Sequence, residues 1–420
     1  MKKLSLVVFL SLLLSFQLIA AGSSDRNDSA IIEDDGTTKL NLVLMTKDSN
    51  LKGFNDYIAK VEEACNLDIT VIATPTNAND RQARVATVLS TNDNSVDIIT
   101  VNDEMYTAFK NTGWLENLNN VMTKELIQEY PVEYMNDMVI TNGNVFSVPI
   151  YFSAYGWFIN KSIMEETGIS SISTYSDFLS FVKKATNSNR FGYGDAWDPN
   201  YVFNSLGSFV NLFGGNYYDW TDPKTQAGLH ALINLVREGY TSTAQLADQF
   251  EQTYQNMASG NIATALLYTG QIANFSKAGL YTPEGPIEMI TPPVADDEVG
   301  SVAYCSSWHY VLNSASTNTT AAKRFLKYVA SEEGQLNYTL SFGTYPAYLS
   351  LLESDKLDNI AGIDQMREYV DKVTLRGRPI VAESMEYISE IGNLFHRLVL
   401  NQIDEAEFCK QAQISTNKFV

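Results

Sequence analysis

The chain has 420 residues, too many for one small compact core, which points to two domains or lobes. It is 45% hydrophobic and 19% charged, a globular composition with no low-complexity block. Its 49 acidic residues against 29 Lys and Arg leave a formal charge of −20, which argues against nucleic acid and against an anionic membrane surface as partners.

Lys2 and Lys3 precede an apolar run, LSLVVFLSLLLSFQLIA, and then Ala20, Ala21, Gly22 and Ser23. This is the layout of a cleavable secretory signal peptide over residues 1–22, with an uncleaved membrane anchor as the rival reading. No Cys follows the run, so a lipid has no acceptor there. Residues 23–38, polar and acidic, read as a flexible leader.

Next comes LNLVLM (40–45), a strand. In GFNDYIAKVEEACN, Phe54, Tyr57, Ile58, Val61 and Ala64 recur at helical spacing. DITVIAT (68–74) and VDIITV (96–101) read as strands around a helix, RQARVATVLS (81–90). That alternation predicts a parallel sheet covered by helices. Ligands of such sheets sit beyond the carboxyl ends of the strands. Lys47 stands there after the first strand, and Asp103 and Glu104 after the third. Asp103 has a rival role as the cap of the following helix.

The middle of the chain is helix-rich. Thr174 and Asp177 form a capping-box pattern, and Asp222-Pro223 opens a helix that Gly239 closes. NIATALLYTG and IEMITPPV (287–294) read as strands. Thr319 or Thr320 starts another helix, and the last 40 residues are helical. Cys65, Cys305 and Cys409 match no zinc spacing; they read as buried thiols, with one disulfide of undetermined pairing left open.

No catalytic motif occurs. His230, His309 and His396 read as structural, and no nucleophile elbow, metalloprotease helix or phosphate loop is present. Asp195, Asp198 and Asn200 fit a hydrogen-bonded loop better than a calcium site. Two carboxylates suffice for a glycosidase, so a secreted carbohydrate-active enzyme stays open as an alternative.

What stands out is the aromatic content, 11%. In FSVPIYFSAYGWFINKS (146–162), six residues are aromatic, five of them just behind Pro149. Tyr151, Tyr155, Trp197, Tyr268, Trp308 and Tyr345 all fall in polar, turn-like settings. Rings with a polar handle suit a site that is half apolar and half wet. A pyranose, with C–H faces and a rim of hydroxyls, is such a ligand.

The order of these segments resembles the extracellular solute-binding proteins of bacterial ABC sugar importers, the group that includes maltose- and trehalose-binding proteins. VDIITVNDEMYTAFKNTGWLENL is similar to the segment that delivers an Asp to the cleft. NGNVFSVPIYFSAYGWFINKSIMEETGI is similar to the first hinge crossing. QNMASGNIATALLYTGQIANF, CSSWHYVLNSASTNTTAAKRFLKYVASEEGQ and GTYPAYLSLL follow in family order. Ser153 stands where several sugar binders carry an acid, and CSSWHY replaces a Gly-Gly pair.

The resemblance implies an α/β, two-lobe periplasmic-binding-protein-like fold with a hinge and an interlobe ligand cleft. Lobe 1 is expected over 39–148 and 291–330, and lobe 2 over 149–290 and 331–420. Crossings are expected near Val148-Pro149, Ile290-Thr291 and Val329-Ala330. It further implies a monomer in the periplasm or outside the cell, without catalysis or cofactor. The monomer would pass a mono- or oligosaccharide, or another small solute, to a membrane permease. Trp197 and Trp308 are expected to grip ligand from opposite lobes. Arg378 is held extended by Pro379 and is expected at the cleft edge, with Arg376 pointing elsewhere.

Overall fold

The computed structural model describes residues 36, 38–75, 78–295 and 299–420, without the side chains at 46, 47, 78 and 79. The expected signal peptide and almost all of the leader lie outside the described residues. Strand β1 (Lys39–Met45) alternates as its sequence requires. Leu40, Leu42 and Leu44 join one apolar cluster, while Val43 joins another on the opposite face. β2 (Asp68–Thr74) and β3 (Ile98–Asn102) flank β1, both parallel to it. Helix Phe54–Cys65 covers the leucine face with Phe54, Tyr57, Ile58, Val61 and Cys65.

β4 (Ile140–Thr141) and β5 (Asn144–Val145) form a hairpin whose turn, Asn142-Gly143, has φ of 52° and 75°. Asn-Gly with both φ positive matches the twist of a two-residue hairpin. β6 (Ser147–Pro149) then precedes β7 (Ser153–Asn160), β8 (Phe191–Gly194), β9 (Ile262–Tyr268) and β10 (Ile287–Ile290). β11 (Val302–Ser306), β12 (Trp308–Leu312) and β13 (Thr374–Gly377) complete the strands used here.

Two sheets result. The first has the order β2-β1-β3-β12-β6, with β12 antiparallel to both neighbours. The second has the order β13-β11-β7-β9-β8, with β10 added beside β7. The chain leaves the first sheet after Pro149 and enters the second at Ser153.

The other two boundaries differ from the sequence reading. Residues 302–306 were expected in lobe 1, yet Cys305 pairs with Ala154 of β7 and Tyr304 with Arg376 of β13. The return to the first sheet therefore falls at Ser307, not at 290–291. A buried five-residue strand suits either sheet equally, so local pattern does not place it. Helix Glu332–Phe342 was expected in lobe 2. It packs on helix Phe54–Cys65, where Tyr57 meets Tyr338 at 5.4 Å and Phe342 at 5.3 Å edge to face. Among the described residues no helix is long and apolar enough to cross a membrane. Cys65, Cys305 and Cys409 are buried free thiols, so no pair of them is bridged.

Candidate functional site

β3 is buried along its apolar residues and delivers Asn102, Asp103 and Glu104 at its carboxyl end. Asn102 is the cap of helix Asp103–Phe109, its side chain accepting from Met105 N at 3.1 Å. Asp103 is thereby released from capping. It is fully buried. Its Oδ1 accepts from the Tyr134 hydroxyl at 2.6 Å and from His309 Nε2 at 2.8 Å. Its Oδ2 accepts from Arg378 Nη2 at 3.0 Å, Arg378 Nε at 3.3 Å and Ser307 N at 3.3 Å. Burial alone would raise the carboxyl pKa, but the His309 hydrogen bond and the Arg378 charge outweigh it, so Asp103 is held below its ordinary value.

Arg378 follows β13 and so belongs with the second sheet. Its guanidinium crosses to the first lobe, with Nη1 at 2.9 Å from Glu104 Oε1. Nη1 also donates to the Tyr268 hydroxyl at 3.4 Å, and the group lies 5.8 Å from the Phe203 ring centroid. Glu104 keeps one oxygen, Oε2, buried and without a hydrogen-bond partner. Arg376 pairs instead with Asp137 at 3.1 Å on a half-exposed edge.

Beside this cluster lies a cavity of about 250 Å³ whose lining includes Asp48, Tyr151 and Trp308. It runs beneath helices Phe54–Cys65 and Glu332–Phe342 on the leucine face of the first sheet. Tyr151 stacks on Tyr338, centroids 6.0 Å apart and 14° from parallel. The Arg81 guanidinium lies 5.2 Å from the Trp308 ring centroid. Burial first, and then the charges of Asp48 and Asp103, push the Tyr151 phenol well above its ordinary pKa. Both acids are therefore near enough for the Tyr151 phenol to feel their charge.

The family model for bacterial extracellular solute-binding proteins matches residues 47–336. The chain belongs to this family. No curated protein matches it. Maltose-bound MalE3 of T. maritima is similar over 91% of this chain and 100% of that one, at 16% identity and a TM-score of 0.74. A cyclic α-maltosyl-1,6-maltose binding protein from Arthrobacter globiformis covers 91% and 99%, at 13% identity and a TM-score of 0.75. A Thermotoga lettingae ABC-transporter solute-binding protein with bound α-D-tagatose covers 91% and 99%, at 16% identity and 0.72. At these identities the likeness establishes the two-lobe α/β fold.

In this solute-binding protein Asp103, Glu104, Tyr268 and Arg378 come together, with Tyr151 and Trp308 alongside. Lys47 lies in helix Thr46–Ser49, but its side chain is outside the described residues. Three expected cleft residues are buried side chains, Tyr155 among them although its ring packs 5.0 Å from that of Tyr268. Trp197 is fully buried in the second lobe, edge to face with Phe395 at 5.1 Å. Tyr155 is buried and donates to Asp195 Oδ1 at 2.8 Å. Tyr345 is buried and donates to the Ala361 carbonyl at 2.7 Å. The two phenols are satisfied by groups distant in sequence, Asp195 and the Ala361 carbonyl, so the polar residues beside them in the chain do not mark a groove.

Tyr134, Arg81 and Tyr338 were not singled out, and His309 was read only as structural. His309 lies fully buried between Tyr106 and Tyr134, with Nδ1 at 3.1 Å from Ser147 Oγ. Its one local signal is its place directly after Trp308 in a strand that meets β3 across the sheet. Asp198 and Asn200 form the expected loop, Asp198 Oδ1 accepting from Asn200 N at 3.0 Å.

Proposed function

We propose that this protein captures a small carbohydrate between its lobes and hands it to the permease of an ABC importer. One observation carries the reading: charged donors and acceptors from both lobes converge where aromatic faces line the crossings. Glu104 of the first lobe has a buried oxygen to spare. Arg378 and Tyr268 of the second face it, and Tyr151 and Trp308 line the neighbouring cavity. Carboxylate, guanidinium and phenol bond sugar hydroxyls, while ring faces cover C–H surfaces. Asp103 positions Arg378. Maltose, tagatose and mannitol, found with similar structures, define the first ligands to try.

The same reading makes the protein a monomeric, non-catalytic carrier outside the cytoplasmic membrane, exported by residues 1–22. A ligand that binds only the folded state raises stability by about 2.7 kcal/mol at a hundred times its Kd. A thermal-shift screen over mono- and oligosaccharides should therefore give a sugar that raises Tm and is recovered unchanged by chromatography. Shifts only with non-sugar solutes would reject the carbohydrate. Release of a cleaved product would make it an enzyme.

A further inference from the structure

The three parallel strands of the first sheet end on one side, and the segment after each end supplies a charged side chain. Asp48 follows β1 and Glu104 follows β3. Arg81 follows β2, in the first turn of helix Ala78–Ser90. Two of the three are acids, and the third is a buried cation, 5% exposed. The Arg81 guanidinium lies over the Trp308 ring, 5.2 Å from its centroid. Burial lowers its pKa, and the charges of Asp48 and Glu104 oppose that shift, so both acids are near enough to act on it.

An aromatic face with carboxylates beside it is a receptor for an organic cation. Trp308, Asp48 and Glu104 compose such a receptor, and the cation that occupies it belongs to the protein. The second lobe repeats the pattern: Arg378 lies 5.8 Å from the Phe203 centroid and pairs with Asp103 and Glu104. Without Arg81, the wall of the first lobe would offer an aromatic ring and two acids to a cation from solution.

We propose that Arg81 is a specificity-determining residue: it fills this cation receptor from within, so that protonated amines and guanidines are excluded and neutral solutes are admitted. Occupancy and repulsion act together. The ring face that would hold a foreign cation is covered, and a like charge set beside a buried guanidinium is repelled. A hydroxyl meets no such penalty and finds N–H donors in the same group. The inference rests on the carbohydrate reading for the neutral solute, and on Arg81, Trp308 and the two acids alone for the exclusion.

The test is calorimetric titration at about pH 6, where the amines are charged. The probes are two matched pairs, glucose with glucosamine and galactose with galactosamine, and agmatine as a cation without a sugar. In whichever pair binds, the parent should hold the neutral member about tenfold tighter or more, and it should not bind agmatine. Arg81→Ala vacates the receptor. Agmatine should then bind saturably, and the preference for the neutral sugar should fall by about tenfold or more. Arg81→Lys keeps the charge and should keep the exclusion, a rescue that a merely structural role would not give. Arg81→Met, uncharged but with a stem against Trp308, serves in both measurements if the alanine variant does not fold. A preference that stays at the parent's value in the uncharged variant overturns the proposal, as does agmatine bound equally by parent and variant. If no sugar binds, the carbohydrate reading fails, and agmatine alone reads Arg81. Binding by the uncharged variant that the parent and Arg81→Lys lack upholds the exclusion, and no gain overturns it.

Discussion

Asp103 and Asp195 are both fully buried, yet their protonation runs in opposite directions. Asp195 accepts from the phenols of Tyr155 and Tyr193 and from Ala196 N, but among the described residues no cation answers it. Burial dominates and pushes its pKa up to about 6. The folded state therefore binds this proton more tightly than the unfolded chain. The stability it brings is complete below about pH 4, and it is lost as pH rises through about 6. Two pH units correspond to roughly 3 kcal/mol at most. Asp103, depressed by His309 and Arg378, behaves conversely: its stabilisation holds at neutral pH and is lost on acidification below the ordinary carboxylate range. Asp195→Asn should flatten the first dependence. Urea unfolding at intervals from pH 4 to 6 should show the wild type losing stability relative to the variant. A constant difference across that window would refute the assignment. Trp197 carries a second prediction. Because it is core, Trp197→Ala should cost about 3–5 kcal/mol and leave solute affinity unchanged in the folded fraction. A tenfold loss of affinity without loss of stability would return it to the cleft.

The elements that the sequence made legible are those with a local physical signature. The stripe Phe54, Tyr57, Ile58 and Val61 fixes a helix whatever surrounds it, and that helix is present. Thr174 and Asp177 close a reciprocal capping box, with Asp177 N donating to Thr174 Oγ1 at 3.1 Å and Thr174 N donating to Asp177 Oδ2 at 3.0 Å. Thr174→Ala should therefore cost about 1 kcal/mol, read as a lower urea midpoint with unchanged slope; an unchanged midpoint would mean that the box is redundant with the packing of Phe178 and Val182. Elements whose place depends on distant partners were not legible. β11 could join either sheet, and Arg376 and Ala154 decide it. Helix Glu332–Phe342 has no strong apolar stripe, because Tyr338 and Phe342 meet helix Phe54–Cys65 while Gln335 turns inward to donate to the Pro149 carbonyl. The site divides the same way. Asp103, Glu104 and Arg378, which the structure brings together, were expected from strand ends and from a proline that holds its predecessor extended. Tyr155 and Tyr345 are buried instead because a core tyrosine also needs a polar partner, and composition does not distinguish that need from a ligand's; Trp197 is a core ring in a polar stretch of sequence.

The two lobes are joined by chain crossings at residues 149–153, at Ser307 and between Phe342 and Thr374, and by the Arg378 fork. Arg378 stands on the second lobe, and both acids it grips stand on the first. Removing one partner of a buried ion pair costs about 3–5 kcal/mol when the other stays buried. Here a second response exists. If the lobes part, water reaches Asp103 Oδ2 and Glu104, and the penalty falls to that of a solvated charge. Hinge motion is the low-cost response in such architectures because the crossings absorb the change in backbone angle. Arg378→Gln should then appear mainly as opening. Its radius of gyration by small-angle scattering should exceed that of the parent, which is about 22 Å for a compact chain of this length, while Tm falls little. Arg378→Lys keeps the charge without the fork and should lie between. Arg376→Gln is the control: its pair with Asp137 is half exposed and worth about 1 kcal/mol or less, so neither size nor Tm should move appreciably. An Arg378→Gln protein with the parent's radius and a stability loss of several kcal/mol would show that the fork only cements a rigid body, and that closure on solute must be driven elsewhere.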